Sequence, residues 1–133
     1  MTQIASEPAL LPLLVIEDEP PIMALVRATL ERSGYKVVCC NSAAEGLQRL
    51  TQGDYLGIVS DMRTPGEFNG ADVHAWVTKN RPALASRILF ITGDLANEKT
   101  VTALRKTGAP CVEKPFRVQQ FLAVVEQTMG KPL

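Results

Sequence analysis

The sequence predicts an α/β fold in which five parallel strands form one open, doubly wound sheet flanked by five helices. Three observations carry that prediction. Short apolar runs of strand length alternate with stretches of helical spacing, the signature of βαβ units. The runs are apolar at successive positions, as strands buried on both faces are. The length, 133 residues, is that of one ordinary domain and leaves no room for a second catalytic or DNA-binding unit.

The first run, Leu13 to Ile16, ends in Glu17-Asp18-Glu19. Pro20-Pro21 then open a helix on which Ile22, Val26 and Leu30 fall four apart, and Ser33-Gly34 stops it. Lys36 to Cys40 is the second strand, followed by Asn41-Ser42 as the cap of a helix with Ala43, Leu47 and Leu50 on one face. Tyr55 to Ser60 is the third strand, ending at Asp61. Pro65, Gly66 and Asn69 mark residues 62–69 as a loop, the kind of segment in which function resides. A helix over 70–80 turns Val73 and Val77 inward, and Pro82 breaks the chain before a fourth strand from Arg87 to Thr92. Gly93-Asp94 turns the chain into a helix through Val101 and Leu104 that ends at Gly108. Cys111 to Glu113 is a short fifth strand, and after Lys114-Pro115 the last helix carries Val118, Phe121, Leu122, Val125 and Met129 at helical spacing. Residues 1–9 read as a loose leader, 10–130 as the domain and 131–133 as a tail.

Composition narrows the function. Hydrophobic residues make up 46% and charged residues 21%, enough for a real core and against a disordered chain. Fourteen Lys+Arg balance fourteen Asp+Glu, which removes the electrostatic attraction that drives nucleic-acid and anionic-membrane binding. No direct nucleic-acid or membrane partner is expected. The apolar stretch Leu10–Ile16 is short and interrupted by Pro12, and no basic residue precedes Arg27, so neither a signal peptide nor a membrane span is read there. Cys39, Cys40 and Cys111 read as small buried thiols of a reducing, cytoplasmic setting.

In doubly wound sheets, sites form at the carboxyl ends of the strands, where strand order reverses. Those ends carry Glu17-Asp18-Glu19, Asp61, Thr92 and Lys114. Clustered carboxylates call for a cation, and hard oxygen donors without nearby His or Cys favour Mg²⁺. An ammonium at Lys114 and a hydroxyl at Thr92 would complete a cradle for a phosphoryl group, with a carboxylate attacking phosphorus to form an acyl phosphate. Taken singly, each residue has an ordinary structural reading: the acidic run complements a helix N-terminus, Asp61 is a turn residue, Thr92 a strand end and Lys114 a solvated charge. Their joint placement at four strand ends favours a site.

These residues resemble the receiver domain of bacterial two-component response regulators, a flavodoxin-like fold. The resemblance spans about residues 11–129 and rests on four ordered motifs: Val15-Ile16-Glu17-Asp18-Glu19-Pro20, Asp61 followed by Pro65-Gly66, Thr92 after an apolar strand, and Lys114-Pro115-Phe116. It implies that Asp61 is the phospho-acceptor, with Asp18 a direct Mg²⁺ ligand, Glu17 its partner and Arg63 a ligand through its backbone carbonyl. Thr92 is then the switch hydroxyl and Lys114 the phosphate-contacting charge. The implied donor is a phosphohistidine on a sensor histidine kinase or a phosphotransfer domain. The implied output is a downstream protein docking on the face of the fourth helix, fifth strand and fifth helix. Arg63 and Asp94 border the path of the hydrolytic water, where pairing of their charges would lengthen the phosphorylated lifetime.

Three departures from the pattern stand out. Glu17 occupies a position where the family usually has Asp. The loop Pro65–Gly70 is one residue longer than the usual form. Cys111 stands where the family typically has a Tyr or Phe that rotates on activation. Rival readings are a haloacid-dehalogenase-like phosphatase, a receiver-like scaffold that is never phosphorylated, and nucleotide or flavin binding. The phosphatase needs a second Asp two residues after the nucleophile, and Arg63 is there after Asp61. Neither a P-loop nor a G-x-G-x-x-G follows any strand, and Glu17 to Glu19 would repel a flavin phosphate. His74 and Trp76 read as packing residues. Both a free-standing regulator and a receiver of a larger or hybrid kinase chain are compatible with the sequence.

Overall fold

The computed structural model describes residues 11–131. The leader at 1–9 and the last two residues of the tail lie outside the described residues. In chain order the elements are β1 (Leu13–Ile16), α1 (Pro20–Arg32), β2 (Val37–Cys40), α2 (Ala43–Gln52), β3 (Gly57–Asp61), α3 (Gly70–Asn80), β4 (Ile88–Thr92), α4 (Glu98–Thr107), β5 (Cys111–Glu113) and α5 (Val118–Met129), with a 3-10 turn over Pro82–Arg87 before β4. All five strands are parallel in the order β2-β1-β3-β4-β5, so the switch point falls between β1 and β3.

Alternation along each strand divides the core in two. Leu14, Ile16, Ile58 and Phe90 point to one face and pack with Leu50, Val73, Val77 and Leu104 of α2, α3 and α4. Leu13, Val15, Val59, Leu89 and Ile91 point to the other and meet Val26 and Leu30 of α1 and Phe121, Val125 and Met129 of α5. The helical spacing predicted these inward residues, with Val118 the exception at 41% exposure.

Boundaries differ from the sequence reading by a residue or two for local reasons. β3 starts at Gly57, not Tyr55, because its neighbour β1 begins at Leu13, which pairs with Gly57. The peptide of Leu56 instead bonds outward, its N–H to Pro12 O at 2.8 Å and its carbonyl accepting from Arg87 Nε at 2.6 Å. Residues between Pro82 and β4 wind into the 3-10 turn and bury Leu84. Two helix starts near the site are pinned by side chains. Asn69 and Asp72 form a reciprocal capping box on α3, at 3.0 and 2.7 Å. Asn97 Oδ1 accepts from Lys99 N and Thr100 N at the start of α4.

Gly70 sets how closely α3 approaches the end of β3. A Cβ placed there would lie 2.8 Å from both the carbonyl oxygen of Asp61 and Phe90 Cε1, and neither the strand backbone nor the fully buried ring can yield cheaply. Gly70→Ala is therefore expected to destabilise by about 1–3 kcal/mol, read as a lower urea midpoint at an unchanged slope. An unchanged midpoint would show that α3 has room to withdraw.

Candidate phosphorylation site

Parallel strands deliver their carboxyl ends to one edge of the sheet, and the side chains gathered there come from β1, β3, β4 and β5. Asp61, the last residue of β3, is buried and held at both oxygens. Oδ1 accepts the Arg63 backbone N–H at 3.1 Å and Oδ2 accepts Lys114 Nζ at 2.8 Å. Lys114 also donates to Glu19 Oε1 at 3.0 Å. Its Nζ also lies 2.9 Å from Glu17 Oε1, a close ion pair with a fully buried carboxylate. The other Glu17 oxygen takes the Glu19 backbone N–H at 3.0 Å.

The protonation states follow from these contacts. Burial opposes the charge on Lys114, but hydrogen bonding to Asp61 and the carboxylates of Glu17 and Glu19 outweigh it and push its pKa up. Burial pushes Glu17 up, with the Asp61 charge adding to it and the Glu19 N–H and Lys114 opposing it. Lys114 thus stays an ammonium among three carboxylates.

Sequence reasoning placed Glu17, Asp61 and Lys114 at one edge, and the structure brings all three into contact. Glu19 was not among the assigned site residues, yet its carboxylate joins Glu17 and Asp61 in a cluster whose oxygens lie within 4.8 Å of one another. Asp18 is exposed and falls outside that cluster, lining with Glu17 a cleft beside Met23 and Arg27 of α1 and Asn41. Thr92 is buried, and its Oγ1 accepts the Asp94 N–H at 3.1 Å. Arg63 Nη1 donates to Asp94 Oδ2 at 2.7 Å, and the same oxygen accepts Thr100 Oγ1 at 3.0 Å. Those two bonds, the Arg63 one first, hold the Asp94 carboxyl below the usual range. Thr100, on α4, was also missed.

Cys111 is half-buried at the start of β5, paired in register with Phe90 and packed beside the first core. Burial, with the charges of Glu113 and Asp61, pushes its thiol up to about 11. His74 tilts against Phe90 with ring centroids 6.3 Å apart, and burial lowers its pKa, as suits a packed neutral imidazole. Trp76 is likewise packed against the core between α2 and α3.

The model of the response regulator receiver domain matches residues 13–126, nearly the whole chain. The chain belongs to the response regulator receiver family. It is 29% identical over 117 residues to YkoG, an uncharacterized transcriptional regulatory protein of Bacillus subtilis, covering 88% of this chain and 50% of that protein. It is 32% identical over 116 residues to the alginate biosynthesis transcriptional regulatory protein AlgB of Pseudomonas putida, covering 86% of this chain and 25% of that one. The chain thus spans half or less of the length of these curated relatives. Among solved structures, a CheY-like receiver domain protein from Methanospirillum hungatei superposes with a TM-score of 0.79 at 22% identity, over 90% of this chain and 94% of that one, and shares its fold. The receiver domain is the phospho-accepting module of two-component signalling, and this chain is one.

The receiver's thiols offer a check on burial at this edge. Cys40 and Cys111 are both pushed up to about 11, so at pH 8 they are almost wholly protonated. Iodoacetamide should alkylate these two cysteines about two orders of magnitude more slowly in the native protein than in urea, followed by mass spectrometry of peptides. Equal rates at Cys111 would mean that β5 opens to solvent.

Proposed function

We propose that Asp61 is the phospho-acceptor and that a divalent cation, Mg²⁺, is held beside it by Asp61, the acidic residues after β1 and the Arg63 carbonyl. The observation that carries this reading is the Lys114 ammonium bonded to Asp61 at 2.8 Å, with the buried Glu17 carboxylate 2.9 Å from the same nitrogen. Three carboxylates against one ammonium leave a surplus of two negative charges, and oxygen donors of this hardness suit Mg²⁺. The Glu17 and Glu19 carboxylates already lie beside Asp61, and Asp18 stands next to them in the same acidic run. When bound, the cation neutralises phosphoryl oxygens and screens the incoming anion from the carboxylates.

The residues then divide the work. The Arg63 N–H and the Lys114 ammonium hold the Asp61 carboxylate at both oxygens, so it faces phosphorus with little reorganisation. One Asp61 oxygen forms the new P–O bond as the P–N bond to the donor imidazole breaks, with the electron pair leaving on nitrogen. Lys114 exchanges a carboxylate for a phosphoryl oxygen, and Thr92 Oγ1 supplies a hydroxyl from β4. No carboxylate stands two residues beyond Asp61 to protonate a leaving group or activate water. Arg63 is there, tied to Asp94, which supports a module that keeps its phosphoryl group over a phosphatase that turns over. The reading includes a sensor histidine kinase or phosphotransfer domain as donor, a protein partner on the α4-β5-α5 face, and a cytoplasmic location. Among the described residues no helix is long and apolar enough to cross a membrane.

Incubation with acetyl phosphate and Mg²⁺ should add one phosphoryl group to the native protein by intact mass, and none with EDTA or in Asp61→Asn. An equal gain in Asp61→Asn would overturn the assignment.

The Arg63 guanidinium and Asp94 carboxylate are paired at 2.7 Å, and in this reading the pair borders the path of water to Asp61. Arg63→Ala and Asp94→Ala should each speed loss of the phosphoryl group, by no more than about fivefold because the pair is solvent-exposed. Unchanged rates in both variants would remove the pair from lifetime control.

A further inference from the structure

Helix α4 is attached to the site by a path that bypasses β5. From Asp61 Oδ1 the path runs through the Arg63 N–H at 3.1 Å, then from the Arg63 guanidinium to Asp94 Oδ2 at 2.7 Å, and from that same oxygen to Thr100 Oγ1 at 3.0 Å. A second strand of the path joins Thr92 Oγ1 to the Asp94 N–H at 3.1 Å. Among the described residues Asp94 is therefore the one bonded to the acceptor's loop, to the switch hydroxyl and to α4. Thr100 sits buried in the first turn of α4, with its backbone N–H already taken by the Asn97 cap, so its hydroxyl is the side-chain link from that turn to Asp94. Cys111, in contrast, offers no ring to rotate.

We propose that Thr100 is a positioning residue that couples α4 to the phosphorylation site through the shared Asp94 carboxylate. This rests on Asp61 being the acceptor. Phosphorylation replaces one carboxylate charge with a phosphoryl group carrying about two. The exposed Arg63 guanidinium then has a stronger anion to pair with, and Thr92 is drawn toward the same group. Both changes act on Asp94, one by drawing the still-paired Arg63 toward the phosphoryl group and so weakening its bond to Oδ2, the other by moving the Asp94 backbone N–H. The Asp94–Thr100 bond is made in one state and altered in the other, which is the differential interaction that a shift of α4 requires. The outcome is a response concentrated in the first turn of α4.

The test uses the whole chain with Mg²⁺ and beryllofluoride, a mimic of the bound phosphoryl group, followed by amide shifts in nitrogen-15-labelled protein. In the native protein and in Thr100→Ser, which keeps the hydroxyl, the amides of residues 98–103 should shift. In Thr100→Val those shifts should fall by roughly half or more, while the shifts at Asp61, Arg63 and Lys114 persist. Asp94→Ala should reproduce the Val result, and it decides the matter if Thr100→Val proves poorly folded. Full α4 shifts in Thr100→Val, with normal shifts at the site, would overturn the coupling while leaving the Asp61 reading intact. Absence of any shift at Asp61 and Lys114 in the native protein would instead overturn the acceptor assignment, and the coupling with it.

Discussion

A single ammonium group organises the functional edge of the receiver. Lys114 Nζ lies within 3.0 Å of carboxylate oxygens from Glu17, Glu19 and Asp61, which enter from the ends of β1 and β3 while the lysine follows β5. Glu17 is fully buried, and a buried carboxylate stripped of its ion-pair partner typically costs about 3–5 kcal/mol. The lysine therefore ties the β1 end of the site to the β5 edge across two intervening strands. It does so incompletely. One ammonium brings a single positive charge to three carboxyl groups, so the balance at this edge stays negative. That residual negative charge is what the proposed divalent cation would neutralise ahead of an incoming phosphoryl anion.

Holding such a cluster together needs a scaffold that does not relax around it. The sheet supplies one because β1, β3 and β4 are buried on both faces, so their ends cannot shift without disturbing two cores. Gly70 lets α3 close over the end of β3, and the Asn69–Asp72 box fixes where that helix begins. The charged edge is thus held by apolar packing beneath it.

Much of this was legible in the chain itself. Apolar runs and helical spacing located all five strands and five helices, because burial on one or two faces leaves a period that composition alone would hide. Asp61 and Lys114 were legible because each directly ends or follows a strand, where the sheet dictates position. Glu19 was not. Beyond the last paired residue of β1 the direction of each side chain depends on loop dihedrals, and Glu19, in an extended conformation before α1, turns toward Lys114 while Asp18 stays outside the cluster. Thr100 was illegible for a similar reason. Its contact with Asp94 exists only because the loop over 93–97 folds back, with the Asn97 N–H bonded to Asp94 O at 3.0 Å, and nothing in the local pattern sets that turn. The capping box on α3 also escaped notice, since Asp at its third helical position is a less familiar partner than Glu or Gln.

Cys111 and Thr100 together bear on how such a module signals. A rotating aromatic side chain changes the area buried behind the switch hydroxyl, and area acts over a whole face at about 25 cal/mol per Å². A half-buried thiol has little area to exchange, and its raised pKa keeps it neutral, so it contributes neither volume nor charge to a switch. A hydrogen bond shared at one carboxylate works differently. It is short-ranged, it depends on charge, and its worth changes when a new anion competes for the same arginine. A receiver that lacks the ring and keeps the shared carboxylate should therefore move the near end of α4 more than the surface across β5. On the proposed coupling, the residue that Asp94 holds then decides where the output lies.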